Sequence, residues 1–269
     1  MIQTQARLRD GTAIKRGRTP HSTGRERAFT RGELLAVLVG VSLLLAVTWP
    51  VLANNRERSL RVLCVNNLRL AGQAYQQWGT EHAGQLPWRT LWCEGGTMPA
   101  AAVNCPGTPP PWITGGLNNN SWFQWSWLSN EMRSPKILAC PSDTQKRPAD
   151  NWTTVPPDGF LQPDFRDADV SYFVGLDVFS TDRLGLIAGD RNVRFTVGGG
   201  ACSSGVRYNG SLNFVPNSTG IGGGLHVEAG NFLLTDGRVE ELSSQGFANR
   251  WSALNPGDDG GASHFLRPN

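Results

Sequence analysis

Apolar residues are spaced in three different ways along this chain. Leu34 to Ala53 is a run of 20 residues without a charge, interrupted only by Gly40, Ser42, Thr48 and Pro50 among polar or helix-weakening types. Such a run spans a hydrocarbon core of ~30 Å as a helix. The pattern then changes to three- and four-residue steps at Leu60, Cys64, Leu68, Ala71, Tyr75 and Trp78, with Arg56, Arg61, Arg69 and Gln76 left for the other side. That is the stripe of an amphipathic helix. From Phe29 to about Glu81 a single helix would measure on the order of 80 Å, with Pro50 kinking it or breaking a backbone bond and Gly84 and Pro87 ending it.

Beyond the helix the pattern loosens. Residues 84–165 carry Pro106-Gly-Thr-Pro-Pro-Pro111, the Asn118–Asn120 run and the aromatics Trp112, Trp122, Phe123, Trp125 and Trp127. They read as a loop-rich insertion with a short helix over Trp122–Met132, which lacks Gly and Pro. From Val170 the apolar runs shorten to strand length at Val170–Leu176, Leu184–Ala188, Val193–Val197, Phe232–Leu234 and Val239–Leu242, separated by Gly-rich turns. These runs predict a small antiparallel sheet. The fold class is α+β, with five regions: 1–28, 29–53, 54–83, 84–165 and 166–269.

Charge sharpens the first region. Residues 1–28 hold seven Lys/Arg and two acids, so subtracting their +5 from the chain's +3 leaves −2 for the rest. A nucleic-acid partner, which needs a basic surface on the folded part, is therefore not expected. Basic residues ahead of an apolar span keep the N-terminus in the cytoplasm and export the remainder of the chain. A signal peptide has a shorter apolar core, about 7–15 residues, so cleavage after Ala53 is the lesser reading. The exported part contains Cys64, Cys93, Cys105, Cys140 and Cys202, which suggests disulfides with one thiol left over. Cys93 and Cys105 bracket a short Gly/Pro-rich loop and are the first candidates. No C-x-x-C or zinc-like His interval is present.

Glu33 stands at the mouth of the apolar run, where a carboxylate is costly unless paired and so marks function. The residues around it, Ala28-Phe-Thr-Arg-Gly-Glu-Leu-Leu35, resemble the precursors of type IV pilins and type II secretion pseudopilins: a basic leader, a small residue at the cut, then Phe-Thr-Leu-x-Glu-Leu. Ala28 replaces the usual Gly and Arg31 an apolar residue. Glu33 is the fifth residue after the implied cut and Pro50 the twenty-second, as in that family.

A narrower resemblance spans most of the remaining chain. Cys64-Val-Asn-Asn-Leu-Arg69, Gly84-Gln-Leu-Pro87, Leu138-Ala-Cys-Pro-Ser-Asp143, Ser171-Tyr-Phe-Val-Gly175, Ala188-Gly-Asp-Arg191 and His226 followed after nine residues by Asp236-Gly237 are similar to the large pseudopilin-like proteins of planctomycetes and verrucomicrobia. The resemblance implies a bacterial inner-membrane subunit with a pilin-like roll, cut between Ala28 and Phe29 and methylated on Phe29 by a prepilin peptidase. It also implies assembly with other pseudopilin subunits by a platform protein and an ATPase, with Glu33 of one copy neutralising the Phe29 amine of the next. The function expected is structural, not enzymatic.

Other candidate chemistry is weaker. His226 with Asp236 can be read as an acid/base or metal pair, but Asp236-Gly237 is a hairpin dipeptide and His226 reads first as a structural hydrogen-bond partner. Asp258 and Asp259 offer oxygens suited to calcium without EF-hand spacing; no cofactor is otherwise expected. Gly222-Gly-Gly224 lacks the Lys and Ser/Thr of a phosphate loop. Exposed Trp112–Trp127 would instead make the chain a tethered binding module, with polysaccharide as one candidate ligand, and an exported metal-dependent hydrolase is the remaining alternative.

Overall fold

The computed structural model describes residues 30–99, 105–179, 184–197, 207–214, 225–226, 229–254 and 263–268. The chain divides into two units, residues 1–51 and 52–269. The long helix α1 is Arg31–Glu81, 51 residues, and both units contain part of it.

In the first unit, Arg31–Trp49 is long and apolar enough to cross a membrane once, and none of it is buried within the protein. Its hydroxyls bond the preceding turn, Ser42 to the Leu38 carbonyl at 2.5 Å and Thr48 to the Leu44 carbonyl at 2.9 Å. In that way polar side chains are satisfied inside an apolar helix. Helical structure continues through Pro50. The expected break is therefore confined to the one bond that a proline cannot donate.

The second unit is α+β. Among the described residues its sheet has seven strands in the order β3-β4-β7-β1-β2-β5-β6, where β1 is Tyr172–Gly175, β2 Leu186–Asp190, β3 Val193–Val197, β4 Arg207–Phe214, β5 Ala229–Leu234, β6 Val239–Ser243 and β7 Ser263–Leu266. Every pairing is antiparallel. Two strands lie outside the predicted set. β7 is too short to stand out, but β4 carries the half-buried signature, since Tyr208, Gly210, Leu212 and Phe214 alternate with Arg207, Asn209, Ser211 and Asn213.

The outer part of α1 supplies one layer of the core. Cys64, Leu68, Ala71, Ala74, Tyr75 and Trp78 are buried, and Gly72 lies so close that a Cβ there would sit 2.8 Å from Leu233. Arg61 departs from the predicted solvent face and meets Glu241 at 3.1 Å. The opposite face of the sheet is covered too. Phe173, Phe232, Leu234 and Phe265 pack with Phe247 of an unpredicted helix, Ser244–Leu254, and the Phe232 and Phe247 rings are 4.5 Å apart. Covering both faces explains why the central strands read as unbroken apolar runs. α1 ends where expected: Ala83 and Gly84 take left-handed φ of 52° and 80°, and the Gly84 N–H donates to the Gly79 carbonyl at 2.7 Å.

The insertion is core, not appendage. The helix expected over Trp122–Met132 is two short ones, Ser121–Ser126 and Ser129–Met132, broken at Trp127-Leu128. The break lets Trp125 and Leu128 both become fully buried. Trp125 donates its Nε1–H to the Tyr172 carbonyl at 3.3 Å, while Trp122 and Phe123 are buried and Trp112 and Trp127 half-buried against the same cluster. An aromatic contact surface for a binding module is thus largely spent on packing.

Candidate functional site

At the start of α1 the chain forms a reciprocal cap. Thr30 donates its backbone N–H and its hydroxyl to Glu33 Oε2 at 2.8 and 2.9 Å, and the Glu33 N–H donates to Thr30 Oγ1 at 3.2 Å. A Thr-x-x-Glu box satisfies two otherwise unpartnered donors of the first turn. Within one copy of the chain, Glu33 is therefore a helix-start residue already in use. Ala28 and Phe29 lie outside the described residues, as do Cys202, the Gly222–Gly224 triplet and the calcium candidates Asp258 and Asp259.

The second site forms where the sequence motifs meet. Cys64 of α1 is disulfide-bonded to Cys140, 76 residues away; Cys93 and Cys105 form the second bridge. The Cys140 N–H donates to Ser171 Oγ at 3.0 Å, and that hydroxyl donates to Asp143 Oδ2 at 3.0 Å. Arg191 grips the same carboxylate with two bonds, Nε to Oδ2 at 2.7 Å and Nη2 to Oδ1 at 2.9 Å. This two-pronged geometry is the strongest ordinary ion pair. Removing one partner of such a buried pair costs about 3–5 kcal/mol. β1 and β2 position these groups: the Ser171 N–H donates to the Leu138 carbonyl at 2.8 Å and the Arg191 N–H to the Ser171 carbonyl at 2.9 Å.

One residue before Arg191, Asp190 closes strand β2 with no solvent exposure. Its Oδ2 accepts the Asn231 backbone N–H at 2.7 Å and Asn231 Nδ2 at 2.9 Å, and His226 Nε2 lies 3.5 Å away. Burial pushes the Asp190 carboxyl up to about 7 against the downward pull of those two bonds. His226 is buried and held at φ 45°, a left-handed conformation that among non-glycine residues His, Asn and Asp adopt most readily. Its Nε2 also faces Cys140 Sγ at 3.8 Å.

Asp236 is not part of this network. It sits in the exposed turn between β5 and β6, bonded to Arg238 through Nε at 2.6 Å and the backbone N–H at 3.0 Å, two residues beyond the end of β5, which itself lies ~10 Å along the strand from Asn231. The His226–Asp236 acid/base pair is thereby replaced by His226 with Asp190. Gly237 has φ 82°, and a Cβ there would come within 2.7 Å of Gln76 Nε2. The Asp-Gly dipeptide therefore serves the turn and its seat on α1.

The roles of Asp143, Ser171, Asp190, Arg191 and Asn231 in this network were not derivable from spacing. One signal was present: an acid directly after Leu186-Ile-Ala-Gly189, in a run otherwise fit for a buried strand, needs partners from elsewhere. The network also stands apart from two surface clefts. One of about 420 Å³ is lined by Trp78, Glu81, His82, Trp127 and Glu131, the other of about 500 Å³ by Tyr75, Gln76, Leu86, Ile187 and Thr235. Comparison with protein-family models, curated proteins and solved structures finds no match.

Proposed function

We propose that this chain is a prepilin-type structural subunit, processed before Phe29 and assembled through the first half of α1 into a pseudopilus- or pilus-like filament. The observation that carries this reading is one helix with two surfaces: an apolar stretch, Arg31–Trp49, with no buried residue, and an outer half whose apolar stripe is buried from Cys64 to Trp78. An apolar helix face that its own chain leaves uncovered is consistent with either lipid or neighbouring copies as its surroundings. Glu33 supports assembly over mere anchoring. It is the single acid in that stretch, and a carboxylate moved into a packed apolar filament needs a cation, for which a new amine at Phe29 of an adjoining copy is suited. The outer α+β unit, a pilin-like roll in this reading, would face away from the cytoplasm, where its two disulfides persist.

Mass spectrometry of the N-terminus of protein taken from membranes tests the proposal. A methylated Phe29 is expected. An intact leader, or a cut after Ala53, overturns it.

A further inference from the structure

We propose that the cleft at the outer end of α1 binds a small hydroxylated ammonium compound, of the amino-sugar class. The inference stands apart from processing at the N-terminus, since every residue it uses lies at Trp78 or beyond. α1 closes at Glu81, and its last turn holds no basic residue. The negative end of the helix dipole, where Lys or Arg ordinarily stands, is thus left without a cation of its own. Trp78, Glu81 and His82 of this end line one side of the cleft, and Trp127 and Glu131 face it from the insertion. No Lys or Arg lines it among the described residues.

Both carboxylates are available to a ligand. Glu81 is exposed, and among the described residues it accepts only a long bond from Gln77 Nε2, at 3.5 Å. Glu131 Oε2 is buried without a hydrogen-bond partner among the described residues. Burial pushes the Glu131 carboxyl above the usual carboxylate range and Glu81 adds to the push, while its own backbone N–H and His82 pull the other way. A carboxylate so placed gains from a positive charge brought in beside it. Glu81, His82 and Glu131 do not converge as the ligands of a metal ion do, so an organic cation suits them better.

The remaining walls decide what carries that cation. The Trp78 and Trp127 rings meet at 6.3 Å between centroids with their planes 85° apart, so two indoles wall the cleft nearly at right angles. Aromatic rings attract ammonium groups and offer broad apolar area to a sugar ring. His82 stacks on Trp78 at 3.9 Å, with its Nδ1 3.0 Å from the Trp78 carbonyl, which holds both rings in place. Trp78 is 6% exposed, and its Nε1–H has no hydrogen-bond partner among the described residues. A buried donor of this kind calls for an oxygen on the ligand. Ser129 and Asn130 add a hydroxyl and an amide to the lining. The volume of about 420 Å³ falls within the range of small-molecule sites, about 300–1,000 Å³. An ammonium group on a hydroxylated ring meets all of these walls, whereas a neutral sugar or a plain alkylammonium meets only some.

The test uses the full-length chain in non-ionic detergent at neutral pH, labelled with fluorotryptophan. Fluorine NMR follows the signals of Trp78 and Trp127, assigned from Trp78→Phe and Trp127→Phe. Glucosamine is the probe; glucose lacks its charge and n-butylammonium its hydroxyls. Saturable shifts at these two signals are expected with glucosamine, at an affinity about 10-fold above either control, the factor that one hydrogen bond to a charged group supplies. Added salt should weaken the binding. Glu131→Gln should remove the preference over glucose. Glu81→Gln, at an exposed position, should reduce it and carries the test should Glu131→Gln fail to fold. Absence of a saturable shift with glucosamine overturns the proposal. Equal affinity for glucose or for n-butylammonium overturns it too, as does a preference that survives in the carboxamide variants.

Discussion

Glu33 has two roles open to it, and they are separable by chemistry. The carboxylate closes the cap with Thr30 inside one chain, which needs a hydrogen-bond acceptor; pairing with an amine needs a charge. Gln retains the acceptor and is accepted at this position of a capping box. Glu33→Gln should therefore leave helix content intact yet block incorporation into filaments, whereas Glu33→Ala loses both cap and charge. Co-assembly assayed by crosslinking decides: Glu33→Gln incorporating as well as wild type would reduce Glu33 to a helix start.

Asp169 offers a second single-residue forecast. Burial pushes its carboxyl up to about 7, against the pull of Arg147 and Lys146 and with the help of Asp158, and neither side-chain oxygen finds a hydrogen bond among the described residues. A folded-state value above the unfolded one, near 3.9, means that between these values the folded chain binds more protons. Its contribution to stability is then complete below about pH 4 and is lost as pH rises through about 7. Thermal melts at pH 5 and pH 8 should show a smaller drop for Asp169→Asn than for wild type. An equal drop in both proteins would exclude this group as a source.

Among the elements, α1 was the most legible and the connecting segment the least. A three- to four-residue period is local information: of its predictions Cys64, Leu68, Ala71, Tyr75 and Trp78 are buried and Leu60 is half-buried, while Ala74 is buried as well without having been predicted. Leu68→Ala, at a site with no exposure, should lower stability by about 2–5 kcal/mol. Leu63→Ala, on the side that remains 47% exposed, should change it by no more than about 0.5 kcal/mol. Chemical denaturation of both variants checks the face assignment; similar losses would mean that the stripe is misplaced. The helix Ser244–Leu254 is hard to see in the sequence because its helical signal is thin. Gly246 interrupts it, and its anchor is Phe247, whose value comes from Phe232 and Phe173 on a sheet face that cannot be assigned before the strands are in register.

For the molecule as a whole, the two disulfides differ in what they restrain. Cys64–Cys140 closes 76 residues and joins α1 to the loop that carries Asp143; Cys93–Cys105 closes 12 within one segment. On the chain-entropy view these loops correspond to about 4.5 and about 3 kcal/mol. C64S/C140S should accordingly lower the melting temperature, read from thermal melts, more than C93S/C105S does. The reverse order would place the main restraint in the insertion.

What the chain states by itself is what neighbours in sequence can encode: a charge-free run long enough for a bilayer, an acid at its mouth, a helical stripe, most of the strands, and an Asp-Gly turn. Composition and period carry these because each depends on residues a few positions apart. The meeting of Cys64 with Cys140, of Arg191 with Asp143 and of His226 with both Cys140 and Asp190 belongs to the tertiary structure. These partners lie 76, 48, 86 and 36 residues apart. A buried polar side chain requires some partner but leaves no trace in the local pattern of which one. The sheet, by bringing β1, β2 and β5 side by side beneath α1, made that choice.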